Sequence, residues 1–494
     1  MITVSDKVKK VQKSFWNQCV FHPTDAIEDP WGKRILDRMS GDGAIGAVRI
    51  YAMLEDIVYI DGNSRLCYDF RLSDLRLDYL IGRGYDLVIA YAGIPDCIAR
   101  STDCKSSVSK NKTRYKGKMW NTSPPVDYAL WEEICYEYTK HLVERYGEKM
   151  LHGWKVHCFN EPDVSTFFLS NITDLEAPER AEEYLRLYEA FSKGVRRASS
   201  GLSIGGPALA VRNGFLRRFL TGVKERGLEI DYIAIHFYGT DPELLNSGEE
   251  WISVEFMMKR ISDRLSVVRE CGFSGLPLVI DEWGACSHGF FNVEECPTLI
   301  FRETEVYSAY FVRFISRIIE SGLPIENLMI CLSGQHEMTE DFSGFRNFFT
   351  LNFIAKPIYN AYRLFSMLGS ELLDFSSDSE NISVIPTKTK TGGYAVLISY
   401  AAEDFSEDIP NVRKTVNFTE NIVGREVDVW CIDRKTTNPY RLAKRLGISK
   451  NPTAEEISLL RDEGRMKPQQ SFVARENSVT LDMSASSVFL ITVK

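Results

Sequence analysis

Two short apolar runs in this chain end in carboxyl groups, and the residues that close them have the types that could do chemistry. The first is Trp154-Lys155-Val156-His157-Cys158-Phe159-Asn160-Glu161-Pro162-Asp163, and the second is Pro277-Leu278-Val279-Ile280-Asp281-Glu282-Trp283-Gly284. A strand delivers its last side chains to the rim of a sheet, and Pro162, with no N–H to give to a ladder, stops the first run there. Asn160, Glu161 and Glu282 are therefore expected at an edge. Two carboxyl groups facing each other across one pocket can divide the work: one protonates a leaving oxygen while the other attacks carbon or activates water. A chain with 68 Asp and Glu has many acidic residues, so two unrelated carboxylates at strand ends is the competing reading.

The elements that must position them can be read from periodicity. From about residue 15 to 365, short apolar strands alternate with longer amphipathic helices, the pattern of a parallel α/β fold. Strands are expected at Phe15–Phe21, Gly46–Leu54, Leu87–Tyr91, Lys155–Asn160, Ser203–Gly206, Tyr232–Phe237, Leu278–Glu282 and Asn327–Ser333. Helices are expected between them, at Asp127–Tyr146, Ala181–Ala198, Phe215–Arg226, Val254–Glu270, Glu303–Ser321 and Pro357–Leu368. Eight such units favour a (β/α)8 TIM barrel over an open sheet. In a barrel the carboxyl ends of the strands converge on one mouth, and Asn160, Glu161, His236, Tyr238 and Glu282 all fall there.

After about residue 370 the period changes to two, with strands expected at Ile382–Ile385, Gly393–Ser399, Val412–Phe418, Glu426–Cys431 and Val479–Val493. The expected organisation is an N-terminal strand within residues 1–14 that joins the β domain, a catalytic barrel over 15–369, and a C-terminal β-sandwich over 370–494. Thr453-Ala454-Glu455-Glu456 is a capping box that announces a short helical insert in that domain. No internal repeat or low-complexity linker separates the two parts, which are expected to pack as a rigid pair.

Composition removes several function classes. A net charge of −9 argues against a nucleic-acid or anionic-membrane partner, both of which need clustered Lys and Arg, and favours a neutral or sugar-like ligand. No window approaches the roughly 18 apolar residues of a membrane span. The N-terminus lacks a basic region followed by an apolar one, and the eleven cysteines form no C-x-x-C pair, so a cytoplasmic protein with reduced thiols is expected. Gly41-Asp42-Gly43-Ala44-Ile45-Gly46 matches the dinucleotide fingerprint, but it follows an expected helix, Lys33–Met39, and leads into a strand, the reverse of the order that brings a pyrophosphate to a helix N-terminus. The seven histidines show no metal-ligand spacing, and G-x-S-x-G is absent. Neither a cofactor nor a metal is expected.

The carboxylate pair remains. Cofactor-free glycosidic cleavage needs one carboxyl that can protonate and another that can attack, about 5–5.5 Å apart for retention and wider for inversion. Asn160, beside the first acid, can donate to a sugar 2-hydroxyl. His236 and Tyr238 can orient Glu282. Arg49, inside the second strand, is either a cation that keeps a neighbouring nucleophile ionised or a structural ion pair.

In order along the chain, Asn160-Glu161-Pro162, His236-x-Tyr238 and Glu282-Trp283 resemble the clan A retaining glycosidases, and in particular glycoside hydrolase family 39, the β-xylosidase and α-L-iduronidase family. The likeness extends to Val48-Arg49-Ile50-Tyr51, Tyr68-Asp69-Phe70, Ile204-Gly205-Gly206-Pro207-Ala208, Lys356-Pro357-Ile358-Tyr359-Asn360-Ala361-Tyr362 and, in the β domain, Asn438-Pro439-Tyr440. It implies Glu161 as general acid/base, Glu282 as nucleophile, and Asn160, His236, Tyr238, Arg49 and Trp283 around the sugar. Two departures bear on substrate. Tyr51 stands where the family has His in Arg-x-His, and Met329-Ile330-Cys331-Leu332-Ser333-Gly334 replaces an aromatic-rich strand eight. Phe168, with Phe167, is expected to line the rim, and Glu337 to lie in the loop beyond strand eight and meet sugar hydroxyls.

The resemblance implies a retaining exo-glycosidase, foremost a β-xylosidase of short oligosaccharides. An α-L-arabinofuranosidase, a galactosidase or an iduronidase-like enzyme is the alternative, and a catalytically silent carbohydrate-binding protein stands further off. The small β domain offers a surface for a homo-oligomer.

Overall fold

The computed structural model describes residues 1–21, 30–106, 120–287, 291–332, 338, 340–379, 381–401 and 409–494. Eight parallel strands, Gln18–Phe21, Ala47–Tyr51, Asp86–Tyr91, Lys155–Cys158, Ser203–Leu209, Tyr232–Thr240, Leu278–Cys286 and Ile325–Leu332, close into a barrel in that order, the eighth pairing with the first through Met329 and Gln18. They form because each is short and rich in β-branched or small residues. Both faces are buried, one against the barrel interior and one against the surrounding helices.

The interior is built in layers by the two-residue alternation of the strands. Ala47, Val88 and Met329 pack together low in the barrel, and Ala208, Tyr232, Ala234 and Val279 form a second apolar group. Two residues further along the same strands, at Arg49, His236 and Asp281, the interior turns polar while remaining fully buried. The outer faces feed one large core shared with the helices, where Trp131, Tyr184, Phe219, Phe311 and Tyr362 sit. Helix Glu305–Ser321 is capped at its start by Thr304, whose side chain accepts the N–H of Val306, and ends at Gly322, whose φ of 65° is the left-handed value that favours glycine.

Strand ends differ from the sequence reading in ways that matter at the mouth. The fourth strand stops at Cys158, two residues early, because Phe159 and Glu161 take φ values of 64° and 44° and leave the ladder. The sixth and seventh run on to Thr240 and Cys286, so His236, Tyr238 and Glu282 lie within strands and not at their tips. The glycine-rich stretch begins at Gly41, the last residue of helix Pro30–Gly41, and leads into the second barrel strand.

The C-terminal part is one nine-stranded sheet curled around its own core, which includes Val4, Val384, Val396, Val416, Val429 and Ile491. The first strand of the chain, Ile2–Val11, belongs to it, antiparallel to Glu371–Ser377 and parallel to Val412–Phe418. The long final strand read from sequence is two, Ser478–Met483 and Ser487–Val493, separated by a turn with Ser486 at φ 57°. No helix among the described residues is long and apolar enough to cross a membrane.

Two helices inserted in this sheet, Pro439–Leu446 and Ala454–Glu463, lie against the barrel, and the second carries the expected capping box at Thr453 and Glu456. Glu305, fully buried at the start of its barrel helix, accepts from Asn438 Nδ2 at 2.7 Å and from Arg441 at 2.9 Å. Removing one partner of a buried pair strands the other charge, which costs about 3–5 kcal/mol in full burial. Arg441 is partly exposed and Asn438 remains, so Arg441→Ala is expected to cost about 2 kcal/mol in urea unfolding, measured against the unmodified protein. A change within about 0.5 kcal/mol would mean that this contact does not hold the insert to the barrel.

Candidate active site

Arg49 is carried inward by the second strand between Ala47 and Tyr51, and its guanidinium gathers groups from three other elements. Its Nε donates to His157 Nε2 at 3.1 Å and lies 3.1 Å from Asp281 Oδ2. One terminal nitrogen donates to Glu282 Oε1 and the other to Asn160 Oδ1, each at 2.7 Å. The Tyr51 hydroxyl stands 3.2 Å from Asn160 Oδ1 and 3.3 Å from Glu282 Oε1.

Neighbours in a strand normally point to opposite faces, yet Asp281 and Glu282 both reach this centre. The register with the sixth strand slips between Ile280 and Glu282, a bulge that turns two consecutive residues inward and sends Trp283 outward. The fourth strand achieves the same by another route. Left-handed backbone at Phe159 and Glu161, which costs on the order of 1–3 kcal/mol per residue, lets Asn160 and Glu161 meet one pocket side by side. Two ties hold that turn: the Glu161 N–H donates to Ala208 O at 2.9 Å, and buried Asp163 accepts the N–H groups of Ala210, Val211 and Arg212 at 2.8, 2.8 and 3.0 Å.

Glu161 Oε1 is 2.7 Å from His236 Nδ1, and one oxygen of Glu161 and one of Glu282 lie within 4.8 Å of each other. Tyr238 donates to Glu282 Oε2 at 2.7 Å, and the Arg346 guanidinium donates to the Tyr238 hydroxyl at 2.9 Å. The side chains of Glu161 and Glu282 keep 16% and 10% of their surface exposed, whereas His236, Arg49 and Asp281 beneath them keep none. Solvent therefore ends at the two carboxyl groups.

Their proton affinities diverge. Burial alone raises both. At Glu161 burial prevails over the pull of His236, and the negative charge of Glu282 adds to it, so its carboxyl is held above the usual range. At Glu282 the positive charges of His236, Arg49 and Arg346, with the Tyr238 hydrogen bond, overcome burial and hold it well below. Asp281 is likewise held low against burial by Arg49 and His236. His236 is raised to about 10 in spite of burial because Glu282 and Asp281 face it, while burial and then Arg49 lower His157 to about 3, leaving it neutral to accept from Arg49. Two adjacent carboxyl groups with separated affinities have the arrangement of an acid and a nucleophile.

Glu161, His236 and Glu282 are also the residue types that hold a divalent cation. Here their atoms are engaged with one another and with Arg49 and Tyr238, and two guanidinium groups stand beside them.

Of the residues chosen from sequence, the structure brings together Arg49, Tyr51, Asn160, Glu161, His236, Tyr238 and Glu282. His236 differs in partner: it bonds Glu161 and stands 3.6 Å from Glu282, which Tyr238 orients instead. Phe168 is not brought in. It is fully buried with its ring 5.4 Å from Phe159, because the turn after Pro162 rolls it under the loop. Trp283 is not brought in either, since the bulge places it outside the barrel, stacked 5.6 Å from Phe311. Glu337 lies outside the described residues. Sequence reasoning missed Asp281, His157, Trp120 and Arg346. Asp281 and His157 sat in the strands already chosen, where a charged or imidazole side chain in an apolar run was the available signal. Trp120, whose ring meets Tyr51 edge-on at 4.8 Å and Phe167 at 5.6 Å, and Arg346 come from loops without periodicity.

The family model for glycosyl hydrolases family 39 matches residues 2–478. A β-xylosidase of Caldicellulosiruptor saccharolyticus is 24% identical over 508 aligned positions, covering 100% of this chain and 98% of that protein. An α-L-iduronidase of Canis lupus familiaris is 28% identical over 267 positions, 49% of this chain and 36% of that one. Among solved structures, a monomeric β-xylosidase from Caulobacter crescentus CB15 superposes with a TM-score of 0.82 at 18% identity, covering 100% of this chain and 99% of that one, a likeness of fold.

The raised proton affinity of Glu161 has a stability consequence. A carboxyl with a folded value above its unfolded one contributes stability that is fully present below the unfolded value and is lost as pH rises through the folded one. Glu161→Gln carries no such penalty. The variant is expected to melt above the unmodified protein at pH 8 and to lose that advantage at pH 4, as read by thermal unfolding. Equal destabilisation at both pH values would contradict the burial argument.

Proposed function

The chain belongs to glycosyl hydrolases family 39, and we propose that this glycoside hydrolase removes β-xylosyl residues from the ends of short oligosaccharides with retention of configuration. The observation that carries the stereochemistry is the approach of the two carboxyl groups to within 4.8 Å. That is close to the spacing of about 5–5.5 Å used for direct attack and well short of the roughly 6.5–9.5 Å needed to admit a water between acid and base. The β-xylosyl assignment rests on relatives that match along the whole chain.

In this reading Glu282, held ionised, attacks the anomeric carbon while Glu161 gives its proton to the departing glycosidic oxygen, so that the C–O bond breaks as the glycosyl–Glu282 ester forms. The ester no longer carries the charge that helped raise Glu161, and His236 now holds the Glu161 carboxylate with less opposition. Its proton affinity falls when a base is needed. Glu161 then takes a proton from water, whose oxygen attacks the same carbon and frees Glu282. Asn160 serves the sugar: its Oδ1 is fixed by Arg49 and Tyr51, which turns Nδ2 into the donor available for the 2-hydroxyl. Trp120 and Phe167 supply apolar surface beside Tyr51 for the sugar ring. All eleven thiols are free and eight are buried, which suits a reducing compartment, and we place the enzyme in the cytoplasm.

A second specificity has an observation of its own. Arg346 puts a guanidinium at the mouth beside Tyr238, a group that suits a sugar bearing a carboxylate, and α-L-iduronidases are among the relatives. A panel of aryl β-xylosides and aryl α-L-iduronides separates the two readings.

With an activated 2-fluoro-xyloside, a stable adduct on Glu282 is expected in peptide mass spectrometry. Glu282→Ala should lose at least about 10³-fold in kcat and regain turnover with azide, giving the inverted glycosyl azide, whereas Glu161→Ala should still cleave aryl glycosides with good leaving groups. Inverted sugar released by the unmodified enzyme, seen by NMR of the first product, would rule the mechanism out.

A further inference from the structure

Behind the mouth lies a buried ion pair that the reaction as described does not use. Lys356, 1% exposed, and Glu303, fully buried, meet with Nζ–Oε1 at 2.6 Å. Burying two charges is expensive, and a pair of this kind is weak as a stability device, so what it holds in place is the informative question. Lys356 Nζ also donates to the carbonyl of Phe345 at 2.9 Å, and the same Glu303 oxygen accepts the N–H of Gly344 at 2.8 Å. Arg302, the residue before Glu303, donates to the carbonyl of Gly344 at 3.2 Å. Three charged contacts therefore grip the backbone of Gly344 and Phe345, the two residues immediately before Arg346. Gly344 sits at φ 78°, and a Cβ there would stand 2.7 Å from Val293 Cγ1, so the backbone fills its channel.

The outer side of the same loop is also closed. Phe342 meets Tyr440 of the inserted helices with ring centroids 5.7 Å apart, Arg461 donates to the carbonyl of Asn352 at 2.6 Å, and Ile354 packs with Ala443 and Leu460. The loop is thus clamped from the barrel side by charge and from the β domain by packing. Arg346, at its inner turn, donates to Tyr238, which donates to Glu282.

We infer that Glu303 and Lys356 are positioning residues for the reaction: their buried pair fixes the loop after strand eight so that Arg346 stands against Tyr238 and Glu282. The inference rests on Glu282 being the nucleophile proposed above. Arg346 is one of several charged or titratable groups around that carboxylate. Arg49 and Tyr51 face it from the second strand, Glu161 from the turn after the fourth, His236 and Tyr238 from the sixth, Asp281 from its own strand and Cys331 from the eighth. These remain in place when the loop relaxes, so the consequence of losing the clamp is specific to Arg346. Withdrawing one positive charge lets Glu282 bind its proton more readily, which moves the acidic limb of kcat/KM to higher pH.

The test uses the full chain and whichever aryl glycoside it cleaves fastest. Arg346→Met is expected to move the acidic limb upward by about half a pH unit, a modest effect because a hydroxyl stands between the cation and the carboxylate. Glu303→Gln combined with Lys356→Met removes both buried charges together and is expected to move the limb by the same amount. Adding Arg346→Met to that pair should move it no further. Gly344→Ala displaces the loop without touching either charge and covers the case in which the double variant does not fold; it should give the same upward shift. If Arg346→Met shifts the limb but neither the folded double variant nor Gly344→Ala does, the pair is structural and the inference fails. An unmoved limb in Arg346→Met overturns it as well. Fluoro-glycoside labelling of the unmodified enzyme separates this from failure of the mechanism, since a missing adduct on Glu282 refutes that reading and an adduct with unmoved limbs refutes only this one.

Discussion

The guanidinium of Arg49 is the group on which the rest of the site depends. Asp281, Glu282, the oxygen of Asn160 and the imidazole nitrogen of His157 all lie around it, with Glu282 at the edge that solvent reaches and the guanidinium itself fully buried. In a medium of low dielectric two carboxylates at this range would repel each other and one would bind a proton, unless a fixed cation stands between them. Arginine fills that place because its planar fork offers five donors in set directions; a lysine ammonium supplies a point charge and could not hold four groups from two strands and a turn at once. With Arg49 present, Asp281 and Glu282 stay ionised, their charges sustain His236, and Glu161, with burial and the charge of Glu282 against it, is the carboxyl left to carry a proton.

The barrel supplies what this layer needs at a cost it visibly bears. Strand alternation puts Arg49, His236 and Asp281 at one height above the apolar layers, but alternation alone would deliver one of each adjacent pair to the pocket. The bulge after Ile280 and the left-handed residues at Phe159 and Glu161 break the alternation at the two positions where two neighbours are wanted. Strain and irregularity concentrate where proposed chemistry is, and regular pairing resumes on either side.

Much of this was legible in the sequence. Eight apolar runs at α/β spacing are enough for a barrel, and Glu161 and Glu282 stand out because a charged residue at the end of an apolar strand has few other places to go than the mouth. The change of period after about residue 370 announced the β domain, and an N-terminal strand was expected to join it, though not that one sheet of nine strands would curl over its own core, since which strand pairs with Ile2–Val11 is decided across most of the chain and leaves no period in the sequence. Trp283 misled because the resemblance put it around the sugar beside Glu282, whereas strand alternation from an inward Glu282 turns its neighbour outward, and Phe168 because the turn that buries it depends on Asp163 gripping a loop nearly fifty residues on. Trp120 and Arg346 were out of reach for the same reason: their loops carry no period, and their place is set by what holds the loops.

The central claim is that a single buried charge layer splits the proton affinities of two neighbouring glutamates. Carbon-13 NMR of the enzyme labelled at the glutamate carboxyl carbons, with Glu161 and Glu282 assigned by their Gln variants, follows each group directly through a pH titration. Glu282 should titrate well below the usual range of about 4.3 and Glu161 above it, and Glu161 should fall back toward that range when Glu282 is replaced by Gln. Two ordinary titrations, or the opposite order, would contradict the account.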